Sequence, residues 1–130
     1  MFGPSTKILI VDDFGTMRKI LRNVLQQLGF KNIEEAENGA QALEKLRADR
    51  FDLLITDWNM PEMDGLELLK NIRADANLKG LPVMMVTAEA EKDKVIEAIK
   101  AGVNNYIVKP FTAETMKQKL DQIAERMKGG

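Results

Sequence analysis

Asp12 and Asp13, Asp57, Thr87 and Lys109 each stand where a short apolar run stops: after Val11, Thr56, Val86 and Val108 respectively. If those runs are strands of one parallel sheet, their carboxyl ends lie along one edge, the edge where ligands collect in such sheets. Three carboxylates brought together there need a partner. Two of them about 4 Å apart repel by roughly 1 kcal/mol in water and about 4 kcal/mol at an effective dielectric near 20. A divalent cation removes that repulsion, and a shell of carboxylate and carbonyl oxygens selects a hard ion such as Mg²⁺. With Mg²⁺ bound, a phosphate can dock. A carboxylate ionised at neutral pH can then attack phosphorus and form an acyl phosphate without a general base. Lys109 and the Thr87 hydroxyl offer a charge and a hydrogen bond for the phosphoryl oxygens.

The elements that must position these groups are legible in the periodicity. Leu53-Leu54-Ile55 has no polar alternation, which suits a strand covered on both faces, and the loop beyond Asp57 is marked by Pro61 and Gly65. Ile8–Val11 is a second such strand. Met17, Ile20, Leu21, Val24, Leu25 and Leu28 form one apolar stripe of a helix that Gly29 ends. A short strand over Ile33–Ala36 follows, and then a capping box, Asn38 to Gln41, opens a helix bearing Ala42, Leu43 and Leu46. A second box, Asp64 to Glu67, opens a helix bearing Leu66, Leu69 and Ile72; it gives Asp64 a structural reading. Pro82–Thr87 reads as the fourth strand, and Asp93–Ala101 as a helix with Ile96 and Ile99 inward, ended by Gly102. Tyr106–Val108 is the fifth strand. The last helix starts near Thr112 and sets Met116, Leu120, Ile123, Ala124 and Met127 on one face. Strand and helix alternate about five times with no linker, which predicts an α/β fold: a doubly wound, five-stranded parallel sheet between helix layers. One domain over 1–130 with no attached output domain is expected, large enough to bury about two thirds of its unfolded surface.

Composition narrows the functions. The chain has no His, which excludes Ser–His and Cys–His nucleophilic sites and His-ligated metals. With no Cys there is no disulfide and no thiolate zinc site, which favours a cytoplasmic protein. A net charge of -1 argues against nucleic-acid binding, and no apolar segment approaches the roughly 20 residues of a membrane span.

The acidic pair, the strand-end Thr87 and Lys109, and the run Asp57-x-x-Met60-Pro61-x-Met63-Asp64-Gly65 resemble the receiver domains of two-component response regulators over about Lys7 to Met127. Phe14, Trp58-Asn59, Thr87-Ala88-Glu89-Ala90, Tyr106 and Lys109-Pro110-Phe111 are most similar to the single-domain chemotaxis members of that family. The resemblance implies the flavodoxin-like strand order 2-1-3-4-5. It also implies that Asp57 accepts a phosphoryl group from a histidine kinase. Asp13, Asp57 and the backbone carbonyl of Asn59 would bind Mg²⁺, with Asp12 holding metal-bound water. Thr87 and Lys109 would contact the phosphoryl group, and Thr87 and Tyr106 would act as a switch. Asn59 and Glu89 would tune dephosphorylation, and the Lys109–Pro110 peptide would be cis. The output would be a face including Ala90, Lys92, Val95, Tyr106 and Lys119 that binds a flagellar motor switch protein, with a phosphatase as a further partner and a monomeric state. Lys117, Gln118 and Gln122 on the last helix depart from well-known members, which bears on partner identity.

Plainer readings exist for each residue taken singly. Asp12 or Asp13 could cap the first helix, Thr87 could be an ordinary strand residue, Lys109 a solvated lysine and Tyr106 half-buried packing. Only their joint placement favours chemistry. Among rival functions, a haloacid-dehalogenase-type phosphatase would need a second Asp at the place of Asn59, and a flavin carrier would not put two anions where its phosphate binds. A single-domain receiver that relays or drains phosphoryl groups without touching a motor uses the same site.

Overall fold

The computed structural model describes residues 2–88 and 92–129, the side chains of residues 92, 128 and 129 excepted. Ten elements alternate. They are β1 (Lys7–Val11), α1 (Gly15–Gln27), β2 (Asn32–Ala36), α2 (Gly39–Ala48), β3 (Leu53–Asp57), α3 (Gly65–Ala74), β4 (Val83–Thr87), α4 (Lys92–Lys100), β5 (Asn105–Val108) and α5 (Ala113–Gly129). The five strands form one parallel sheet in the order β2-β1-β3-β4-β5, as the resemblance implies. This is the flavodoxin-like arrangement, with the chain reversing direction of growth on either side of β1 and β3.

The unalternating strands are buried on both faces, and successive residues feed two separate cores. Ile8, Ile10, Leu53, Ile55, Met84 and Val86 pack with Leu21 and Leu25 of α1 and with Met116, Leu120 and Ile123 of α5. Leu9, Val11, Leu54, Val83 and Met85 pack with residues of α2, α3 and α4. Each of these side chains stabilises the fold by roughly 1.5–3 kcal/mol through burial, which holds the sheet edge rigid.

The helix signals hold with local differences. Asn38 Oδ1 accepts from Gln41 N–H at 2.8 Å, but the Gln41 side chain reaches back to Glu37 N–H, one residue earlier than a reciprocal box requires. Asp64 caps α3 through Glu67 N–H at 2.8 Å. Gly29 and Gly102, at φ 100° and 96°, close α1 and α4. In both, the residue after the glycine bonds the carbonyl five residues back, Phe30 to Leu25 and Val103 to Ala98, which only a left-handed glycine permits. The Lys109–Pro110 peptide is cis, as expected.

Two expectations about helix faces need correction. Ile96 and Ile99 do not point inward: they are 45% and 60% exposed, and Ala98 is the buried residue of α4. A nine-residue helix offers two overlapping apolar lines, and here the one through Ala98 joins the core. Met127, 52% exposed, continues the inward line of α5 but lies near its end, past the part of the helix that covers the core.

Candidate functional site

The sheet brings the expected chemistry to one edge. Oxygens of Asp12, Asp13 and Asp57 lie within 4.8 Å of one another. β1 and β3 are direct neighbours with Val11 opposite Thr56, so the residues that follow those two positions emerge side by side. Asp12 is fully buried, Asp57 nearly so, and Asp13 partly. Lys109 arrives from the turn after β5, its Nζ 3.2 Å from Asp57 Oδ1 and 3.7 Å from Asp12 Oδ2. Its own N–H donates to the Thr87 carbonyl at 2.7 Å, which fixes the lysine against the end of β4. Thr87 is buried there.

One ammonium faces three carboxylates, and the surplus charge shows. Burial raises the carboxyl pKa values of Asp12 and Asp57 above the ordinary value of 3.8. The Phe14 N–H bond to Asp12 and the Lys109 charge beside Asp57 pull the other way without cancelling it. Asp12 Oδ2 and Asp13 Oδ1 are buried and accept no hydrogen bond among the described residues. Buried acceptors of that kind cost stability unless something fills them. A hard divalent cation fits these oxygens in number, type and position.

The backbone of the loop after β3 is forced close to the site. Gly65 N–H donates to the Trp58 carbonyl at 2.8 Å, and Glu62 sits at φ 68°, a region uncommon for a residue with a side chain. A Cβ on Gly65 would overlap the Asp57 carbonyl oxygen. Trp58 is buried beside Asp57, with Lys94 of α4 5.9 Å from the centre of its ring.

The sequence matches the response regulator receiver domain family over residues 8–121. This chain is a receiver domain. It is 62% identical to the chemotaxis protein CheY-3 of Vibrio cholerae over 127 residues, 98% of each chain. It is 58% identical to the chemotaxis protein CheY of Pseudomonas aeruginosa over 123 residues, 95% of this chain and 99% of that one. Among solved structures, CheY4 of Vibrio cholerae aligns with a TM-score of 0.83 and 36% identity, covering 91% of this chain and 98% of its own. A putative response regulator from Chloroflexus aurantiacus aligns at 0.85 with 33% identity, covering 91% and 96%. The protein is therefore a signalling domain closely related to the chemotaxis regulators. Receiver domains typically use Mg²⁺ and are served by a histidine kinase. Among its described residues, no helix is long and apolar enough to cross a membrane.

Other residues anticipated for the receiver are placed less completely. Asn59 is exposed two positions beyond Asp57. Glu89 and Ala90 lie outside the described residues, and of Lys92 only the backbone, at the start of α4, is described. Tyr106 is half-buried, with Lys119 Nζ 5.0 Å from its ring centre. Met85 lies opposite Tyr106 and Thr87 opposite Val108, so Thr87 and Tyr106 share one face of adjacent strands, offset by two residues. Val95 is partly buried, and Ile99, four residues on along the same line of α4, is exposed. Ile99 is thus on the surface of α4, which its periodicity did not show.

The raised carboxyl pKa values give the receiver a pH signature. Because the folded state holds protons on Asp12 and Asp57 that the unfolded chain has shed, the contribution of these two groups to stability without metal is greatest in acid. That contribution falls as pH rises from the ordinary carboxylate value through the raised ones. Mg²⁺ binding runs the opposite way, since the ligands must be ionised, and weakens as pH drops through the same raised values. A Mg²⁺ titration followed by Trp58 fluorescence should lose affinity at a pH above the ordinary carboxylate value, where exposed carboxylates remain ionised. A flat affinity down to that pH would contradict the assignment.

Proposed function

We propose that this receiver accepts a phosphoryl group on Asp57 from a phosphohistidine of its kinase and in that state binds a flagellar motor switch protein. The observation that carries the reading is the edge cluster: a buried Asp57 held by Lys109, beside two carboxylates whose buried oxygens accept no hydrogen bond among the described residues. Asp13, Asp57 and the Asn59 carbonyl would hold Mg²⁺, with Asp12 acting through metal-bound water. When bound, the ion supplies positive charge that offsets the carboxylates and the incoming phosphoryl oxygens. An Asp57 carboxylate oxygen attacks phosphorus and the bond from phosphorus to the histidine nitrogen breaks; with a proton on the other ring nitrogen of the phosphohistidine, the leaving group departs as neutral imidazole. Lys109 favours the ionised nucleophile against burial and then pairs with a phosphoryl oxygen, to which the Thr87 hydroxyl donates. The chain acts as a cytoplasmic phosphoacceptor that assists its own loading and discharge, Asn59 and Glu89 setting the lifetime, and not as a turnover enzyme.

The output follows from the shared strand face. As Thr87 turns to the phosphoryl group, Tyr106 moves inward, changing the surface made by Ala90, Lys92, Val95, Ile99, Tyr106 and Lys119. A shift from 1:99 to 99:1 between two such states takes about 5.5 kcal/mol of differential stabilisation. High identity to chemotaxis proteins over nearly the full chain favours motor binding over a relay or sink. A motor-switch peptide is expected to bind wild type more tightly with a phosphoryl mimic, and Val95→Asp at least tenfold more weakly (about 1.4 kcal/mol). No tightening by the mimic, or equal binding of Val95→Asp, removes this face as the output.

A further inference from the structure

We propose that Arg18 is the positioning residue of the acidic pair: its guanidinium holds the Asp12 carbonyl and so sets the aim of the Asp12 and Asp13 carboxylates. The inference rests on the Mg²⁺ reading above and concerns a residue that touches neither ion nor phosphoryl group.

At the carboxyl end of β1 the ladder to β2 runs out. Asp12 N–H still donates to the Ala36 carbonyl at 3.3 Å. Beyond it, Glu37 N–H is taken by the Gln41 side chain as the chain enters α2. The buried Asp12 carbonyl therefore sits where sheet pairing is ending, and Arg18 Nη1 donates to it at 2.6 Å. The same guanidinium is held by Glu35 of β2, which accepts from Arg18 Nε at 3.0 Å through one oxygen and from Arg22 Nε at 2.8 Å through the other. Arg22 in turn donates to the Ile33 carbonyl at 3.1 Å. A chain of charge-assisted bonds thus runs from β2 through Glu35 and Arg18 to the peptide that joins the two acidic residues. That peptide is the hinge on which both carboxylates are aimed. Asp12 is further fixed by Phe14 N–H, which donates to its Oδ1 at 2.9 Å, leaving Oδ2 turned to Lys109 and the site. The Arg18 charge is mostly buried, and its bonds go to the Asp12 carbonyl and Glu35, not to the clustered carboxylate oxygens. It contributes positive potential without occupying a ligand position.

Groups that orient ligands from behind typically change metal affinity about 10- to 100-fold when removed. The test is a MgCl₂ titration of the full chain followed by Trp58 fluorescence. It compares wild type with Arg18→Met, which keeps the aliphatic stem, and with Arg22→Met, which removes the second arginine on Glu35 and leaves the Arg18 bonds to Glu35 and Asp12 in place. Arg18→Met is expected to bind Mg²⁺ about tenfold or more weakly. Arg22→Met should bind as wild type does. Phosphorylation by acetyl phosphate should show the matching split: a higher Mg²⁺ half-saturation for Arg18→Met with the rate at saturating Mg²⁺ retained. Arg18→Lys, which keeps the charge but not the planar fork that reaches Asp12 and Glu35 together, should lie between; it decides the matter if Arg18→Met does not fold by circular dichroism. Wild-type affinity in the Arg18 variant that folds overturns the proposal, as does equal weakening in Arg22→Met. A wild type without any Mg²⁺ response overturns the metal reading itself, while an effect confined to Arg18 variants supports both.

Discussion

Asp57→Asn is expected to incorporate no phosphoryl group from acetyl phosphate or from a phosphorylated kinase, and yet to be more stable than wild type without Mg²⁺. The first half follows from chemistry: the amide is no nucleophile towards phosphorus, and Asp12 and Asp13, the other carboxylates clustered with Asp57, are proposed to serve the metal and its water. The second half follows from the sign of the pKa shift. Burial pushes the Asp57 carboxyl up, and it stays up after the attraction of Lys109 and the Trp58 N–H bond are included. At neutral pH the ionised group therefore disfavours the folded state relative to the unfolded chain, and a neutral isostere removes that cost. Added Mg²⁺ should reverse the order, stabilising wild type far more than the variant. Urea midpoints at pH 7 with and without Mg²⁺, alongside phosphate incorporation, read out both halves. Incorporation equal to wild type would remove Asp57 as acceptor, and a lower midpoint without metal would show that the Lys109 pair outweighs burial.

Gly65→Ala should damage both the fold and the site, through a single methyl group. An added Cβ would overlap the Asp57 carbonyl oxygen, lie 2.6 Å from Met85 Sδ and reach 3.0 Å from the Trp58 Cα. Met85 can turn away; the backbone of β3 cannot without disturbing its pairing with β4, where Asp57 lies opposite Val86. Overpacking of this kind costs about 1–3 kcal/mol, and backbone atoms as the obstacle put the expectation at the upper end. Because the obstacle is the peptide of Asp57, the proposed phosphoacceptor, Mg²⁺ affinity should fall together with stability. Gly80→Ala serves as the control, since a Cβ there meets nothing within 4 Å. It should be neutral or stabilise by up to about 1 kcal/mol by restricting the unfolded chain. Equal midpoints for the two variants would show that the loop after β3 yields more easily than its contacts imply.

β1, β3 and β4 were legible because residues buried on both faces leave no polar alternation, and the ends of those runs carried reactive groups in plain view. The helices were legible from their stripes and terminating glycines, and the strand order came only through the resemblance. What periodicity misjudged was α4, where Val95, Ile96, Ala98 and Ile99 give two competing inward lines. A hydrophobic stripe records which side chains can be buried, and the surface a helix meets decides which are; over β4 and β5 that surface admitted Ala98 and left Ile99 in solvent.

The amino-acid sequence by itself determined the αβ alternation, the groups at the strand ends and the kind of ion they suit, because each rests on local chemistry and a short repeat. Tertiary structure decided how those groups are aimed. Arg18 and Glu35 are 17 positions apart, and Lys109 and Asp57 are 52 apart. No local pattern marks such pairs, since they meet only when parallel strands and their crossover helices stack. The closeness of Gly65 to the Asp57 backbone is likewise a property of the folded loop. Burial was the last decision left to the fold: it raised the Asp12 and Asp57 pKa values, a shift that depends on how much water the surrounding helices exclude.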